Sequence, residues 1–209
     1  MAASSYFSII ALIFLTINLN LCSAATTGPI HRPNGRNTRF IRTSCRTTLF
    51  PNLCFTTFSK YSTRIRGNPR FLATTGLSLA LNTTRSATKT LATLSKRHGL
   101  NRKDAAALRD CVQQLGNAVD ELKDSISEMS STRRGNNKDF RFRMSNIQTW
   151  VSAALTNEDT CMDGFSSAGK HKINERGFKI IVRGRVRRVG RLTSIVLAFV
   201  NRYVAATTH

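Results

Sequence analysis

The sequence has little proline and few aromatic residues. Only 4 of its 209 residues are proline, and aromatic residues make up 8% of the chain. This composition, which is instead rich in Ala, Leu, Ser and Thr, is not typical of fibrous or disordered chains. A chain of this length is expected to form one ordinary domain with short appendages, and it is long enough to bury a proper core.

The sequence also lacks a catalytic or cofactor-binding pattern. It contains no phosphate-binding loop, no CxxC pair and no metal-ligand spacing. Adjacent carboxylates at Glu158 and Asp159 would point to different sides of a helix, so they do not form a two-carboxylate site. None of the four histidines has a nucleophile or carboxylate at useful spacing: His31, His98, His171 and His209. We therefore expect a protein that is not an enzyme and needs no metal or cofactor.

The N-terminus has the pattern of a signal peptide. The run from Phe7 to Leu21 is apolar except for four polar residues, and the small residues Ser23, Ala24 and Ala25 follow it. A membrane anchor is the alternative, but the run is too short and too interrupted for a comfortable membrane span. We predict cleavage near Ala24 or Ala25, so that residues 1–25 are removed and a secreted protein without a transmembrane anchor remains.

Acidic residues are scarce. The chain has 11 Asp and Glu against 32 Lys and Arg, which gives a formal net charge of +21. A protein with this charge attracts polyanions. For a secreted protein the available polyanions are acidic polysaccharides, membrane surfaces and acidic proteins, and no nucleic-acid partner is expected.

Cleavage of the signal peptide leaves four of the 5 cysteines, because Cys22 is removed. An even number in an oxidising compartment indicates two disulfides, for which four cysteines allow three connectivities. We favour Cys45–Cys54, which are close in sequence around Pro51-Asn52, and Cys111–Cys161, which would join two long helices. A zinc site is the alternative, and the absence of a CxxC pair argues against it.

Apolar residues at steps of three and four predict an all-α fold. A flexible basic leader is expected at 26–39, followed by a main domain at 40–205. Within that domain a hairpin of short helices at 40–67 precedes an up-down four-helix bundle at 68–205. The predicted long helices cover about 69–97, 101–131, 138–165 and 173–203.

The fourth long helix carries basic residues at i, i+4 spacing, namely Lys179, Arg183, Arg187 and Arg191, and no acidic residue follows Glu175. These like charges repel one another, so packing must hold the helix. The stripe is interpreted first as a solvated face and second as a set of candidate polyanion contacts.

One glycosylation sequon, Asn82-Thr83-Thr84, lies in the middle of the first long helix. Use of this candidate site requires Asn82 to face solvent. An unused sequon is the alternative.

Four segments resemble the plant invertase and pectin methylesterase inhibitor family: CRTTLFPNLC at 45–54, LRDCVQQLGNAVDEL at 108–122, TWVSAALTNEDTCMDGF at 149–165 and VGRLTSIVLAFVNR at 189–202. The resemblance implies a helical hairpin, a four-helix bundle and the two disulfides favoured above. It also implies an extracellular protein of the apoplast and cell wall that covers the active-site cleft of its target enzyme in a 1:1 complex.

The resemblance leaves two target enzymes open. Invertase inhibitors of the family tend to carry Pro-Lys-Phe in the turn before the third long helix, whereas this chain has Asn137-Lys138-Asp139-Phe140. The absence of that proline favours a pectin methylesterase over an invertase. Leu115 stands where the family often has Tyr, which suggests plain packing there. The pro-region of a methylesterase precursor is a further alternative within the family.

The resemblance places the enzyme against the region around the second disulfide. Gln113 and Thr160, beside Cys111 and Cys161, are therefore the candidate enzyme contacts, and ordinary exposed polarity is their alternative interpretation. The basic charge could also hold the protein on demethylated pectin. The competing class is a cationic protein that binds polysaccharide or membrane and has no enzyme target.

Overall fold

The part of the chain that the structure describes is built from helices. The computed structural model describes residues 35–132, 137–165 and 173–207. The short elements are α1 at Gly35–Cys45, α2 at Pro51–Phe58, a 3₁₀ turn at Ser59–Tyr61 and α3 at Ser62–Ile65. The long helices are α4 at Pro69–Ser95, α5 at Arg102–Ser131, α6 at Asn137–Asp163 and α7 at Ile173–Thr207. No strand occurs in the described ranges, and the predicted all-α class is confirmed.

The four long helices pack as a bundle. Helix α5 packs against α4 and α6, and α7 packs against α6 and α4, so each long helix has a neighbour on either side. The α4–α7 side of this ring is therefore opposite the α5–α6 side. The short helices pack on one another and adjoin the start of α4. Phe58 of α2 makes an edge-to-face contact with Phe199 of α7, with 4.9 Å between ring centroids, which ties the hairpin to the bundle.

Side-chain caps explain where α4 and α5 begin. The side chain of Asn68 accepts hydrogen bonds from the backbone N–H groups of Arg70 and Phe71, and Pro69 occupies the first turn. The side chain of Asn101 accepts a 2.8 Å hydrogen bond from the N–H of Asp104. These caps satisfy N–H groups that have no partner within the helix, so both starts fall within one residue of the prediction.

Two clusters of buried side chains form the core. One joins the hairpin to the bundle and includes Phe58, Leu122 and Phe199. The other surrounds Cys111 and Cys161 and includes Leu115, which is fully buried. Packing is therefore the role of Leu115 in this structure, as its apolar side chain suggests.

The hairpin begins earlier than the sequence indicates. Residues 26–39 were expected to be a flexible leader, but α1 starts at Gly35, so the last five residues of that segment are helical. The first buried side chain of α1 is Ile41, so the preceding turn contributes no apolar pattern to the sequence. Asn37 and Phe40 lie against Gly67 at the end of the hairpin. The predicted signal peptide and residues 26–34 lie outside the described residues.

No helix in the described part of the chain is long and apolar enough to cross a membrane.

Candidate enzyme-docking face

Two disulfides link neighbouring helices, one within the hairpin and one within the bundle. Cys45 bonds Cys54, which links α1 to α2 with 5.5 Å between Cα atoms. Cys111 bonds Cys161, which links α5 to α6 with 4.3 Å between Cα atoms and 50 residues between the partners. Both pairs are those favoured from the sequence. The second disulfide fixes the end of the α5–α6 pair at which Gln113 and Thr160 lie.

Polar contacts fix the register of α5 against α6 along the rest of their length. The Asn157 amide donates to both carboxylate oxygens of Glu121, at 3.0 and 3.1 Å. Farther along, Arg143 and Asn146 donate to the carboxylate of Glu128, at 3.1 and 3.4 Å. The two helices therefore cannot slide past each other without breaking several hydrogen bonds.

The candidate contacts Gln113 and Thr160 are both exposed. Gln113 lies two positions after Cys111, a rotation of about 200° that turns its side chain away from the core. The hydroxyl of Thr160 donates a 2.8 Å hydrogen bond to the carbonyl of Thr156 on the same helix. Together with three more exposed polar residues near the second disulfide they form what we call the docking face: Asp110, Gln113, Asn117, Thr156 and Thr160.

The docking face is polar. Beside it on α5, burial raises the pKa of Glu121; the charges of Asp120 and Asp124 act in the same direction, and the hydrogen bond from Asn157 opposes the shift. Among the described residues, no group of three or more His, Cys, Asp and Glu side chains could hold a metal ion. Trp150 is half-buried on α6.

Glu158, which the sequence pattern marks only as the neighbour of Asp159, has a strongly raised pKa. Glu158 is completely buried while Asp159 is exposed, so the two carboxylates do point to different sides. Its Oε1 accepts a 2.9 Å hydrogen bond from the Thr193 hydroxyl and a 3.5 Å one from Thr84, while Oε2 has no partner. The signal was present in the sequence, because Glu158 continues the apolar spacing of Val151, Ala154 and Cys161.

Burial raises the pKa of Glu158 to about 8. The charges of Asp159 and Glu121 act in the same direction, and the hydrogen bonds from Thr193 and Thr84 oppose it. The desolvation effect is larger because an ionised carboxylate without full solvation is unfavourable in the interior. Glu158 is therefore a neutral acid at mildly acidic pH, joining α6 to α4 and α7.

The four basic residues of the α7 stripe differ in their surroundings: two bond to other parts of the protein, and two are exposed. Lys179 forms an ion pair with Asp104 of α5, with 3.1 Å between Nζ and Oδ1, and both side chains are almost buried. Arg183 donates a hydrogen bond to the carbonyl of Phe165. Arg187 is exposed, and Arg191 lies 5.2 Å from the ring centroid of Phe50. Polyanion contact thus remains a prediction for this stripe, and two of its four members have structural roles.

The sequon asparagine, Asn82, is exposed on α4. Its position meets the requirement for glycosylation, and its occupancy stays a prediction.

The sequence of residues 39–199 matches the family described as "Plant invertase/pectin methylesterase inhibitor". The chain belongs to this family. The match covers α1 from its middle to α7 and includes all four disulfide cysteines, the docking face and Glu158. The family description is that of an inhibitor.

Curated relatives in the inhibitor family share about two fifths of their aligned residues with this chain. A "21 kDa protein" of Daucus carota is 39% identical over 192 residues, which are 91% of this chain and 93% of the relative. Pectinesterase inhibitor 9 of Arabidopsis thaliana is 40% identical over 205 residues, or 94% of this chain and 93% of the relative. Pectinesterase inhibitor 10 of the same plant is 42% identical over 172 residues, or 82% of this chain and 53% of the relative, so this chain spans about half of its length.

A solved inhibitor structure has the same fold. The crystal structure of a mutant form of a pectin methylesterase inhibitor from Arabidopsis superposes with a TM-score of 0.62 at 22% identity. The superposition covers 77% of this chain and 95% of the other.

Proposed function

We propose that the mature protein inhibits a plant pectin methylesterase by placing its docking face over the active-site cleft of the enzyme in a 1:1 complex. The observation that carries this proposal is the sequence relation to proteins named as pectinesterase inhibitors, at 40% identity over nearly the whole chain in one case. The exposed polar residues beside the Cys111–Cys161 disulfide supply a surface suited to the polar rim of an enzyme cleft.

The rigidity of α5 and α6 supports inhibition by docking. The disulfide, the Glu121–Asn157 contacts and the Glu128 contacts hold the two helices in one register before any partner binds. A preorganised surface loses less conformational freedom on binding than a flexible one. The docking face therefore needs no folding step to engage an enzyme.

A methylesterase is favoured over an invertase as the target. The sequence Asn137-Lys138-Asp139-Phe140, which the structure places in the first turn of α6, lacks the proline that the family resemblance associates with invertase inhibition. The family description names both enzymes, so an invertase is the second candidate.

We further propose that the protein acts outside the cell, in the apoplast and cell wall. The predicted signal peptide at 1–25 would direct secretion, and the two disulfides suit an oxidising compartment. The domain assignment that follows is a removed signal peptide, a basic leader that now ends at 34, and an inhibitor domain of hairpin and bundle.

An activity assay tests the choice of target. The mature protein is incubated with a purified plant pectin methylesterase and, separately, with a purified cell-wall invertase, over about pH 5 to pH 7. We expect loss of methylesterase activity and no change in invertase activity. Inhibition of invertase alone would move the protein to the second candidate, and inhibition of neither enzyme would contradict the proposal.

A charge-reversal variant separates inhibition from surface binding. Arg187 and Arg191 are replaced by Glu, leaving the internally bonded Lys179 and Arg183 in place. We expect methylesterase inhibition to persist, because these residues lie outside the docking face. A cationic surface-binding protein without an enzyme target would instead show no inhibition in either form.

A further inference from the structure

The charges of the bundle are divided between its two sides. The first acidic residue in the chain is Asp104, so α1 to α4 carry only basic charge. All acidic residues but one lie on α5 and α6, and the exception is Glu175 near the start of α7. The α4–α7 side is therefore strongly basic, and it is opposite the α5–α6 side that carries the docking face.

A groove runs along the α4–α7 side and continues onto the hairpin. One part, of about 400 Å³, is lined by Lys60, Tyr61, Thr83 and Arg188 among others. The adjoining part, of about 360 Å³, shares Thr83 and Arg188 and extends to Ser86 and Arg185. On α4 it covers Leu79 to Ser86, a length of roughly 10 Å at the helical rise. We call this the basic groove and define it by Lys60, Tyr61, Thr83, Ser86, Arg185 and Arg188.

The three cations of the basic groove are exposed and available. Lys60, Arg185 and Arg188 have no ion pair among the residues that the structure describes, and α2 and α4 contain no acidic residue that could neutralise them. This distinguishes them from Lys179 and Arg183 of the stripe, which are held by Asp104 and by the carbonyl of Phe165. The sequence pattern alone pointed to the stripe, and the packing points to the groove beside it.

The groove combines three kinds of group that suit one class of ligand. Guanidinium groups bind carboxylates in a planar, bidentate geometry. The Ser86 hydroxyl can bond sugar hydroxyls, and the Thr83 hydroxyl, which donates to the carbonyl of Leu79, can still accept from one. The half-buried ring of Tyr61 offers an apolar face with a polar tip. We propose that the basic groove binds a short stretch of an acidic polysaccharide built from uronic acids, with Arg185 and Arg188 on its carboxylates and Tyr61 against a sugar ring.

The basic groove and the docking face lie on opposite sides of the bundle, so one can be occupied without covering the other. A polysaccharide in the basic groove leaves the docking face open, so the protein can bind an acidic polysaccharide and an enzyme at the same time. The groove site does not depend on the proposed inhibition, whereas simultaneous binding of polysaccharide and enzyme rests on it.

Binding of fully demethylated oligogalacturonate tests the groove. The probe is titrated by calorimetry into the disulfide-bonded protein, produced in a bacterial periplasm so that Asn82, which also lines the groove, carries no glycan that would occupy it. The double variant Arg185→Gln/Arg188→Gln is expected to bind about tenfold more weakly. The matched control Arg102→Gln/Lys103→Gln removes the same charge from exposed positions at the start of α5, and it is expected to change the affinity by less than about twofold.

Three outcomes would overturn the groove proposal. Equal weakening by the two double variants would show that only diffuse charge attracts the probe. Tight binding of fully methylesterified oligomer would show that carboxylates are not recognised. Stronger binding to vesicles of anionic phospholipid, with the same dependence on Arg185 and Arg188, would show that the groove contacts membranes. Denaturation curves of each variant confirm that it folds, so a weakened affinity reports on the groove.

Simultaneous binding is tested by inhibition of pectin methylesterase with and without saturating oligogalacturonate, corrected for any effect of the oligomer on the enzyme alone. We expect the same inhibition in both conditions. Relief of inhibition in the parent protein but not in the Arg185→Gln/Arg188→Gln variant would contradict the opposite placement, because oligomer bound in the enzyme cleft would relieve both alike. Oligogalacturonate binding without any inhibition would leave the groove in place and reject the proposed function. Inhibition without oligogalacturonate binding would reject the groove site and leave the proposed inhibition in place.

Discussion

Raising the pH from about 5 to about 8 is expected to lower the free energy of unfolding by about 3 kcal/mol, through the single carboxyl group of Glu158. Its pKa is raised by burial to about 8 from an ordinary value of 4.5. Between these values the folded protein keeps the proton and the unfolded chain loses it. The stabilisation is therefore complete below about pH 4.5 and is lost as the pH rises through 8.

The variant Glu158→Gln isolates this effect. The amide keeps the shape of the side chain and an oxygen that can accept from Thr193, but it cannot ionise. Its NH₂ group lacks a partner where Oε2 now lies, so the variant is expected to be somewhat less stable than the parent at pH 5. At pH 8 the order should reverse, because only the parent must then bury a charge.

Chemical denaturation at several pH values measures the dependence. The control is Asp159→Asn, which removes the exposed neighbouring carboxylate and should leave most of the slope in place. A parent protein whose stability does not fall between pH 5 and pH 8 would contradict the assigned burial. So would a Glu158→Gln variant that keeps the parent's slope.

Replacing Thr160 by Arg is expected to weaken methylesterase inhibition by about 2 kcal/mol, or roughly thirtyfold, without loss of stability. A long charged side chain in the middle of the docking face would keep the two surfaces apart. Thr160 is exposed and bonds only within its own helix in the described structure, so the folded state should tolerate the change.

Thr93→Arg is the matched control for this variant. Thr93 is also an exposed threonine on a long helix, and its hydroxyl donates to the carbonyl four residues earlier, as that of Thr160 does. It lies on α4, away from the docking face. The inhibition constants of the parent and both variants are compared. Equal effects at the two sites, or no effect at Thr160, would contradict a role of the α5–α6 surface in the interface.

Local signals in the sequence were enough to predict the four long helices, although they missed the start of α1 at Gly35. The spacing of apolar residues predicts long helices, and the observed starts of α4 and α5 agree with that prediction within a residue. Of the three possible pairings, the short spacing of Cys45 and Cys54 and the position of Cys111 and Cys161 on two predicted long helices favoured the one that the structure contains, as did the family resemblance. The helices and the Cys45–Cys54 pair depend on neighbours in the chain, which a sequence displays directly, whereas Cys111 and Cys161 are 50 residues apart.

Contacts between distant segments account for what the sequence did not show. Lys179 forms an ion pair with Asp104, which lies 75 residues earlier in the chain. The burial of Glu158 depends on Thr84 and Thr193 from two other helices. The basic groove likewise needs α2, α4 and α7 to be assembled before Lys60 and Arg188 come near one another.

Titration of methylesterase activity with the mature protein tests the central claim most directly. The enzyme is held at a concentration well above the dissociation constant, and activity is followed as the protein is added. We predict a linear fall that ends at one inhibitor per enzyme, and an inhibition constant that increases with the concentration of methylesterified pectin because the cleft is covered. An activity that never falls, or that falls without reaching an equivalence point and without competition from pectin, would contradict inhibition by a 1:1 complex over the active site.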